Sequence, residues 1–129
     1  MPAETRMVEM IFPDAANHYG TLFGGNALSL MAKAAFIAAT RHAGSSVVMA
    51  RSERVDFTTP IRVGELLDLT ARVTRTGRTS MTVEVLGMAS PTTGGAGRKA
   101  LSGQFEMVAV DADGRPQLVA RNLNEGTIQ

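Results

Sequence analysis

The chain has 129 residues, with 13 Lys and Arg against 12 Asp and Glu, two His, no Cys and no Trp. That length supports one hydrophobic core rather than two, and the absence of Cys removes disulfide frameworks, thiolate nucleophiles and Cys-based zinc sites together, while two His cannot build a His-rich metal centre, so no metal site is expected. A formal net charge of +1 leaves no electrostatic footprint for nucleic acid or an anionic membrane surface, so neither is expected as a partner and any anionic ligand must be held locally.

Met1-Pro2-Ala3-Glu4-Thr5-Arg6 carries an acid and no apolar run leading to a cleavage site, so a secretory signal is not expected. The longest apolar stretch, 27–39, is interrupted by Lys33 and dominated by Ala, too weakly hydrophobic to span a bilayer. A cytoplasmic protein is expected. Residues 5–12 alternate loosely and stop at Pro13-Asp14, a short strand closed by a turn. A loop with three glycines, Asn17-His18-Tyr19-Gly20-Thr21-Leu22-Phe23-Gly24-Gly25, opens onto a helix over about 25–43. That helix is apolar around most of its circumference, with Asn26, Ser29, Lys33, Thr40 and Arg41 forming a narrow polar stripe, so it reads as a buried helix. Arg41 and His42 suit its negative end, and Gly44 supplies a left-handed stop.

Everything after Gly44 reads as strands. Residues 46–57 are β-branched early and end at Thr58-Thr59-Pro60. Leu67, Leu69, Ala71 and Val73 share one face while Asp68, Thr70 and Arg72 take the other. Thr76-Gly77-Arg78 makes a tight hairpin into Met81, Val83 and Val85, a glycine-rich loop covers 91–97, and a last long strand spans about 98–111. Residues from about 118 to 129 show no period and are expected to fray. The layout is α+β in a single domain over 1–129, an antiparallel sheet wrapped around one long buried helix. One sheet face cannot cover a helix this apolar on all sides, which suggests a symmetric dimer.

The junction from loop to helix carries the most chemistry. Gly24 and Gly25 leave backbone N–H groups and the positive helix end open to a carbonyl oxygen or oxyanion, or they simply permit a sharp turn. Asn17 offers an amide to a carbonyl or a water, or bonds its own loop. The G-x-G-x-x-G and G-x-x-x-x-G-K-[ST] phosphate loops are absent, and no G-x-S-x-G elbow surrounds Ser29 or Ser80. Arg51, Arg54, Arg75, Arg78 and Arg98 are candidates for a phosphorylated ligand or ordinary solvated charges; Gly77-Arg78-Thr79-Ser80 is the strongest, with hydroxyls beside the cation. The eight Met read as core filler.

The run from Asn17 to Gly25 resembles the N-x-x-G-x-x-[FH]-G-G signature of hotdog-fold acyl-CoA thioesterases, the group that includes the cytosolic and brain-type acyl-CoA hydrolases. Agreement continues through Arg41-His42-Ala43-Gly44, Val55-Asp56-Phe57 with Pro60 and Val63-Gly64, Thr76-Gly77-Arg78-Thr79-Ser80-Met81, and Val108-Ala109-Val110-Asp111 with Gly114. The resemblance implies the hotdog fold, homodimers or trimers of dimers, and acyl-CoA hydrolysis to free fatty acid and CoA with no separate cofactor, coenzyme A being part of the substrate. It sets Asn17 and the backbone at Gly24 and Gly25 at the thioester; Asn17 and Gly25 are expected in catalysis, and Phe23, Gly24, Arg78, Thr79 and Ser80 in substrate binding. It also implies a helical Asp from the opposing subunit as base or nucleophile, and that position is Ala32. General-base catalysis contributes about 10²- to 10⁴-fold. Two expectations follow: a thioesterase impaired at position 32, or a non-catalytic acyl-CoA binding or sensing protein.

Overall fold

The computed structural model describes residues 4–119. Strand β1 (Glu4–Met10) leads through a 3-10 turn (Pro13–Ala15) to helix α1 (Gly24–Ala43), and strands β2 (Val47–Phe57), β3 (Glu65–Thr76), β4 (Ser80–Pro91) and β5 (Arg98–Ala109) follow. The strands form one antiparallel sheet in the order β1-β3-β4-β5-β2. Among the described residues no helix is long and apolar enough to cross a membrane.

Period-two patterning sets which sheet face meets α1. Leu67, Leu69, Ala71 and Val73 on β3, Met81, Val83 and Val85 on β4, and Leu101, Phe105 and Met107 on β5 are all buried. The registers Val83↔Phe105 and Ala71↔Val85 stack them into one layer. The helix enters this layer along a stripe of small residues, Ala27, Ala34, Ala35, Ala38, Ala39 and Ala43, with Met31 at its centre. Small side chains on one side need small ones opposite: a Cβ on Gly103 would come within 3.0 Å of the Met31 methyl. Gly44 ends the helix in the left-handed region at φ 69°, its N–H donating to the Thr40 carbonyl.

Within one chain the helix is buried on one face, and Leu28 and Phe36 are exposed on the other, in keeping with a single sheet that cannot cover it on all sides. Two expectations change. The last strand stops at Ala109 rather than near residue 111, since Asp111 turns the chain by accepting the N–H groups of Asp113 and Arg115 on its carboxylate. Fraying from about 118 does not hold at Val119, which is fully buried and whose N–H donates to the Arg78 carbonyl, 2.9 Å. The remainder of that tail lies outside the described residues.

Strand β2 forms one edge of the sheet and pairs irregularly. Two register shifts interrupt its pairing with β5, and Arg54 within the second has φ 51°, a left-handed conformation that costs a non-glycine residue about 1–2 kcal/mol. Met49, opposite buried Met107, and Phe57, opposite buried Leu101, belong to the helix-facing side yet lie about half exposed.

Candidate active site

The start of α1 is a set of backbone donors with nothing in front of them. Phe23 precedes the helix in extended conformation without a side-chain cap, and the first turn contains no acidic residue. The N–H groups of Gly24, Gly25 and Asn26 make no hydrogen bond among the described residues. Their alignment with the helix axis adds the positive dipole end to three unmatched donors. The turn is nevertheless rigid. The Ala15 carbonyl accepts both the Phe23 N–H and the Asn26 side-chain amide, each at 3.0 Å, and the Leu22 N–H donates to the Ile61 carbonyl at 2.7 Å.

Asn17 bonds its own loop, and the way it does so also prepares a donor. Its Oδ1 accepts the N–H groups of Tyr19 (3.0 Å) and Thr21 (3.2 Å) and the Thr21 hydroxyl (3.2 Å). Two backbone N–H groups can only donate, so they fix which end of the amide is oxygen. Nδ2 is left outside that network as a donor.

Beside the helix start lies an apolar cavity of about 300 Å³, lined by residues including Leu22, Gly24, Ala27, Phe57, Ile61 and Ala100. Its volume falls at the lower end of small-molecule sites. Leu22, Ala27, Ile61 and Ala100 form a buried floor, and Phe57 stands half exposed at the side. A larger polar hollow of about 610 Å³ lies away from the helix start, where Arg51 pairs with Glu53 at 2.6 Å and Glu106 accepts the Thr82 hydroxyl. Those internal pairs satisfy much of its charge.

The site residues expected from sequence separate into two groups. Phe23, Gly24 and Gly25 come together, with the Phe23 ring against Gly25, where an added Cβ would meet it at 3.0 Å, and Asn17 joins them through Thr21, which it bonds and which lines the cavity with Gly24. Arg78, Thr79 and Ser80 do not join them within one chain. Their hairpin adjoins Thr76, whose hydroxyl lies 2.9 Å from His42 Nε2 at the far end of α1. Eighteen residues separate Gly24 from His42, about 27 Å at 1.5 Å per residue. The Arg78 side chain makes no ion pair or hydrogen bond among the described residues. Ala32 is half-buried on the face of the helix that carries Gly25, seven residues further on, or about 10 Å along the axis. A carboxylate at position 32 would not reach its own Gly25.

The structure reassigns Arg98, a candidate phosphate ligand by sequence. It forms a two-pronged pair with Glu65, Nη1 to Oε2 at 2.7 Å and Nη2 to Oε1 at 2.8 Å, and Nη2 also donates to the Pro60 carbonyl at 2.7 Å. Beside that guanidinium, and despite partial burial, the Glu65 carboxyl is held down at about 2. The pair spans 33 residues of sequence, and no local pattern in the chain announces it. Among the described residues, no group of three or more His, Cys, Asp or Glu is placed to hold a metal ion.

A family model of the thioesterase superfamily matches residues 19–96. An uncharacterized acyl-CoA thioester hydrolase of Zymomonas mobilis is 38% identical over 116 residues, covering 89% of this chain and 78% of that one. The human cytosolic acyl coenzyme A thioester hydrolase is 30% identical over 129 residues, covering 95% of this chain; the chain spans about a third (34%) of that protein's length. Among solved structures, the acyl-CoA hydrolase of Staphylococcus aureus with butyryl-CoA, CoA and CoA disulfide superimposes with TM-score 0.86 at 33% identity, over 90% of this chain and 71% of that one. Three separate single variants of the same enzyme also match, with alanine in place of an asparagine, of an aspartate fifteen positions later, or of a threonine seventeen positions beyond that. A ligand-free hexameric acyl-CoA thioesterase matches with TM-score 0.87 at 33% identity, over 97% of this chain and 92% of that one. The one-helix, five-strand architecture is therefore the hotdog fold of these hydrolases.

Proposed function

The chain belongs to the thioesterase superfamily, and on that premise we propose that it binds acyl-CoA thioesters with the carbonyl oxygen at the start of α1, as an acyl-CoA thioester hydrolase whose hydrolysis is slowed by Ala32. The observation that carries this reading is the trio of unmatched N–H groups at Gly24, Gly25 and Asn26 beside an apolar cavity, at the end of the loop that Asn17 organises. A thioester carbonyl gains negative charge as water adds to it, and preorganised donors favour that change. The acyl chain enters the cavity and the sulfur side faces outward. Hydrolysis takes one water, gives its proton to the departing thiolate, and yields a carboxylic acid and CoA. No separate cofactor enters this reading.

What the site lacks is a group to take the proton from water. Counted from Asn17, the fifteen- and seventeen-residue spacings of the Staphylococcus aureus variants fall on Ala32 and Met49. Neither side chain moves a proton. This pair favours a second reading, an acyl-CoA binding or sensing protein that keeps the carbonyl donors and omits the chemistry.

A homodimer completes either site. Leu28 and Phe36 on the open face of α1, and Met49 and Phe57 along the β2 edge, leave apolar surface for a second copy to cover. The opposing copy then supplies position 32 and the Arg78-Thr79-Ser80 hairpin, which one chain holds too far away, and trimers of such dimers would match the hexameric relative. A cytoplasmic place of action goes with this reading, by analogy with the cytosolic human relative.

The deciding experiment compares the chain with its Ala32→Asp variant, following thiol release across acyl-CoAs of increasing length and titrating both proteins with acyl-CoA. The hydrolase reading expects about 10²- to 10⁴-fold faster release from the variant. An Ala32→Asp protein that binds acyl-CoA yet never exceeds a buffer blank supports the sensing reading, and absence of binding by both proteins sinks the two together.

A further inference from the structure

The site loop is strapped by backbone hydrogen bonds to the segment 60–63. The Leu22 N–H donates to the Ile61 carbonyl (2.7 Å), the Val63 N–H to the Gly20 carbonyl (3.1 Å), and Thr21 bridges Arg62. Pro60 and Ile61 also line the apolar cavity. The placement of Gly24 and Asn17 therefore depends on what holds 60–63.

That segment is anchored by buried Ile61, by the Glu65 N–H on the Arg62 carbonyl (3.1 Å) and the Gly64 N–H on the Ile11 carbonyl (2.7 Å), and by one ion pair whose side chains reach its backbone. Glu65 opens β3 and Arg98 opens β5, on the two strands flanking β4. Besides meeting each other, both reach the strap: Arg98 Nη2 donates to the Pro60 carbonyl (2.7 Å), and Glu65 Oε1 accepts the Arg62 N–H (2.8 Å). Each ion thus makes two contacts on its partner and one on the backbone between Pro60 and Arg62. The Glu65 side chain is only 14% exposed, where such a pair is screened less than on an open surface.

We propose that Glu65 and Arg98 are positioning residues of the acyl site, fixing the 60–62 backbone as the cavity wall and, through Leu22 and Val63, the register of the Asn17–Gly24 loop. The assignment rests on the acyl-CoA reading above. It differs from a plain stabilising pair in one respect: the backbone contacts matter, not the attraction alone. Arg98→Lys keeps a cation beside Glu65, but an ammonium lacks the planar fork that meets the carboxylate and the Pro60 carbonyl together. A Glu65→Arg/Arg98→Glu exchange remakes the attraction, yet an arginine cannot accept the Arg62 N–H and a glutamate cannot donate to Pro60.

The test measures three quantities on full-length protein: the melting temperature, the ratio of CoA to butyryl-CoA dissociation constants, and amide exchange at Leu22 and Val63 against Leu69 and Val83 in the sheet. For Arg98→Lys the expected result is a melting temperature close to that of the natural chain, a ratio lowered about 5- to 10-fold, and exchange faster by a similar factor at Leu22 and Val63 alone. The exchanged pair should regain melting temperature over single Arg98→Glu without regaining the ratio or the protection. An Arg98→Lys protein with unchanged ratio and unchanged Leu22 and Val63 exchange overturns the proposal, as does an exchanged pair that restores both. If the natural chain binds neither CoA nor butyryl-CoA, the acyl-CoA reading fails by itself, and the amide exchange still decides whether the pair positions the loop.

Discussion

Asn17 does two separable things, and two substitutions separate them. Its Oδ1 accepts three hydrogen bonds inside the loop, at 3.0, 3.2 and 3.2 Å, while Nδ2 is the donor assigned to the thioester carbonyl. Asn17→Ala removes all of these. A hydrogen bond contributes about 0.5–1.5 kcal/mol net, and the exposed Tyr19 amide can turn to water whereas the half-buried Thr21 groups turn less easily, so the loss should be about 1–3 kcal/mol. At about 4 °C per kcal/mol for a domain of this length, the melting temperature should fall by about 4–12 °C. Asn17→Asp keeps an acceptor for the same donors, and a charged one, so stability should stay within about 1 kcal/mol. It cannot donate, and it sets a negative oxygen against the carbonyl oxygen. Losing one hydrogen bond weakens acyl-CoA binding by about 2- to 13-fold, and the added repulsion should take Asn17→Asp past about 10-fold. Free CoA has no carbonyl at that point and should bind all three proteins alike. Calorimetric titration with acyl-CoA and CoA, paired with thermal melts, reads both quantities. An Asn17→Asp protein that keeps acyl-CoA affinity within about 2-fold would refute the assignment of Nδ2 and leave Asn17 as a loop residue only.

Gly24→Pro tests the helix-end donors directly. The site begins the helix, a Cβ there meets nothing within 4 Å, and Phe23 already has the extended backbone that a following proline requires. Stability should hold or rise by about 0.4–1 kcal/mol, while acyl-CoA affinity falls several-fold relative to free CoA; equal affinity would remove the Gly24 N–H from the site. Ala100→Leu fills the cavity floor, so it should weaken longer acyl-CoAs more than short ones at a stability cost of about 1–3 kcal/mol, read by titration across chain lengths; a uniform effect would place the acyl chain elsewhere. The Glu65 carboxyl lies at about 2 against an ordinary value of 4.5. Its pair therefore contributes fully above pH 4.5 and loses that contribution as the pH falls towards 2. In urea unfolding, the stability gap between the natural chain and Glu65→Gln should be constant from pH 8 to 5 and shrink below 4.5; a gap unchanged at pH 3 would contradict the pairing.

Local chemistry alone determined much of this protein. Period two in Leu67 to Val73 and in Met81 to Val85 defined the buried sheet face, the alanine-rich stretch before Gly44 defined the helix and its stop, and Gly24-Gly25 at a helix start defined a place for a carbonyl oxygen. These are features of a residue and its near neighbours, where backbone geometry fixes the outcome. The alanine at position 32 was likewise visible by counting along a known signature. Tertiary structure decided what depends on residues far apart in the chain. It decided which face of the helix the single sheet leaves bare, the one that carries Leu28 and Phe36, because coverage depends on how far the sheet curls. It placed Arg78-Thr79-Ser80 a full helix length from Gly24, because the two ends of α1 lie about 27 Å apart. It turned Arg98 from a phosphate candidate into the partner of Glu65, because strand order brings β3 and β5 to either side of β4. Ion pairs across 33 residues obey no local period, so only the folded sheet could reveal the one that holds the site loop in place.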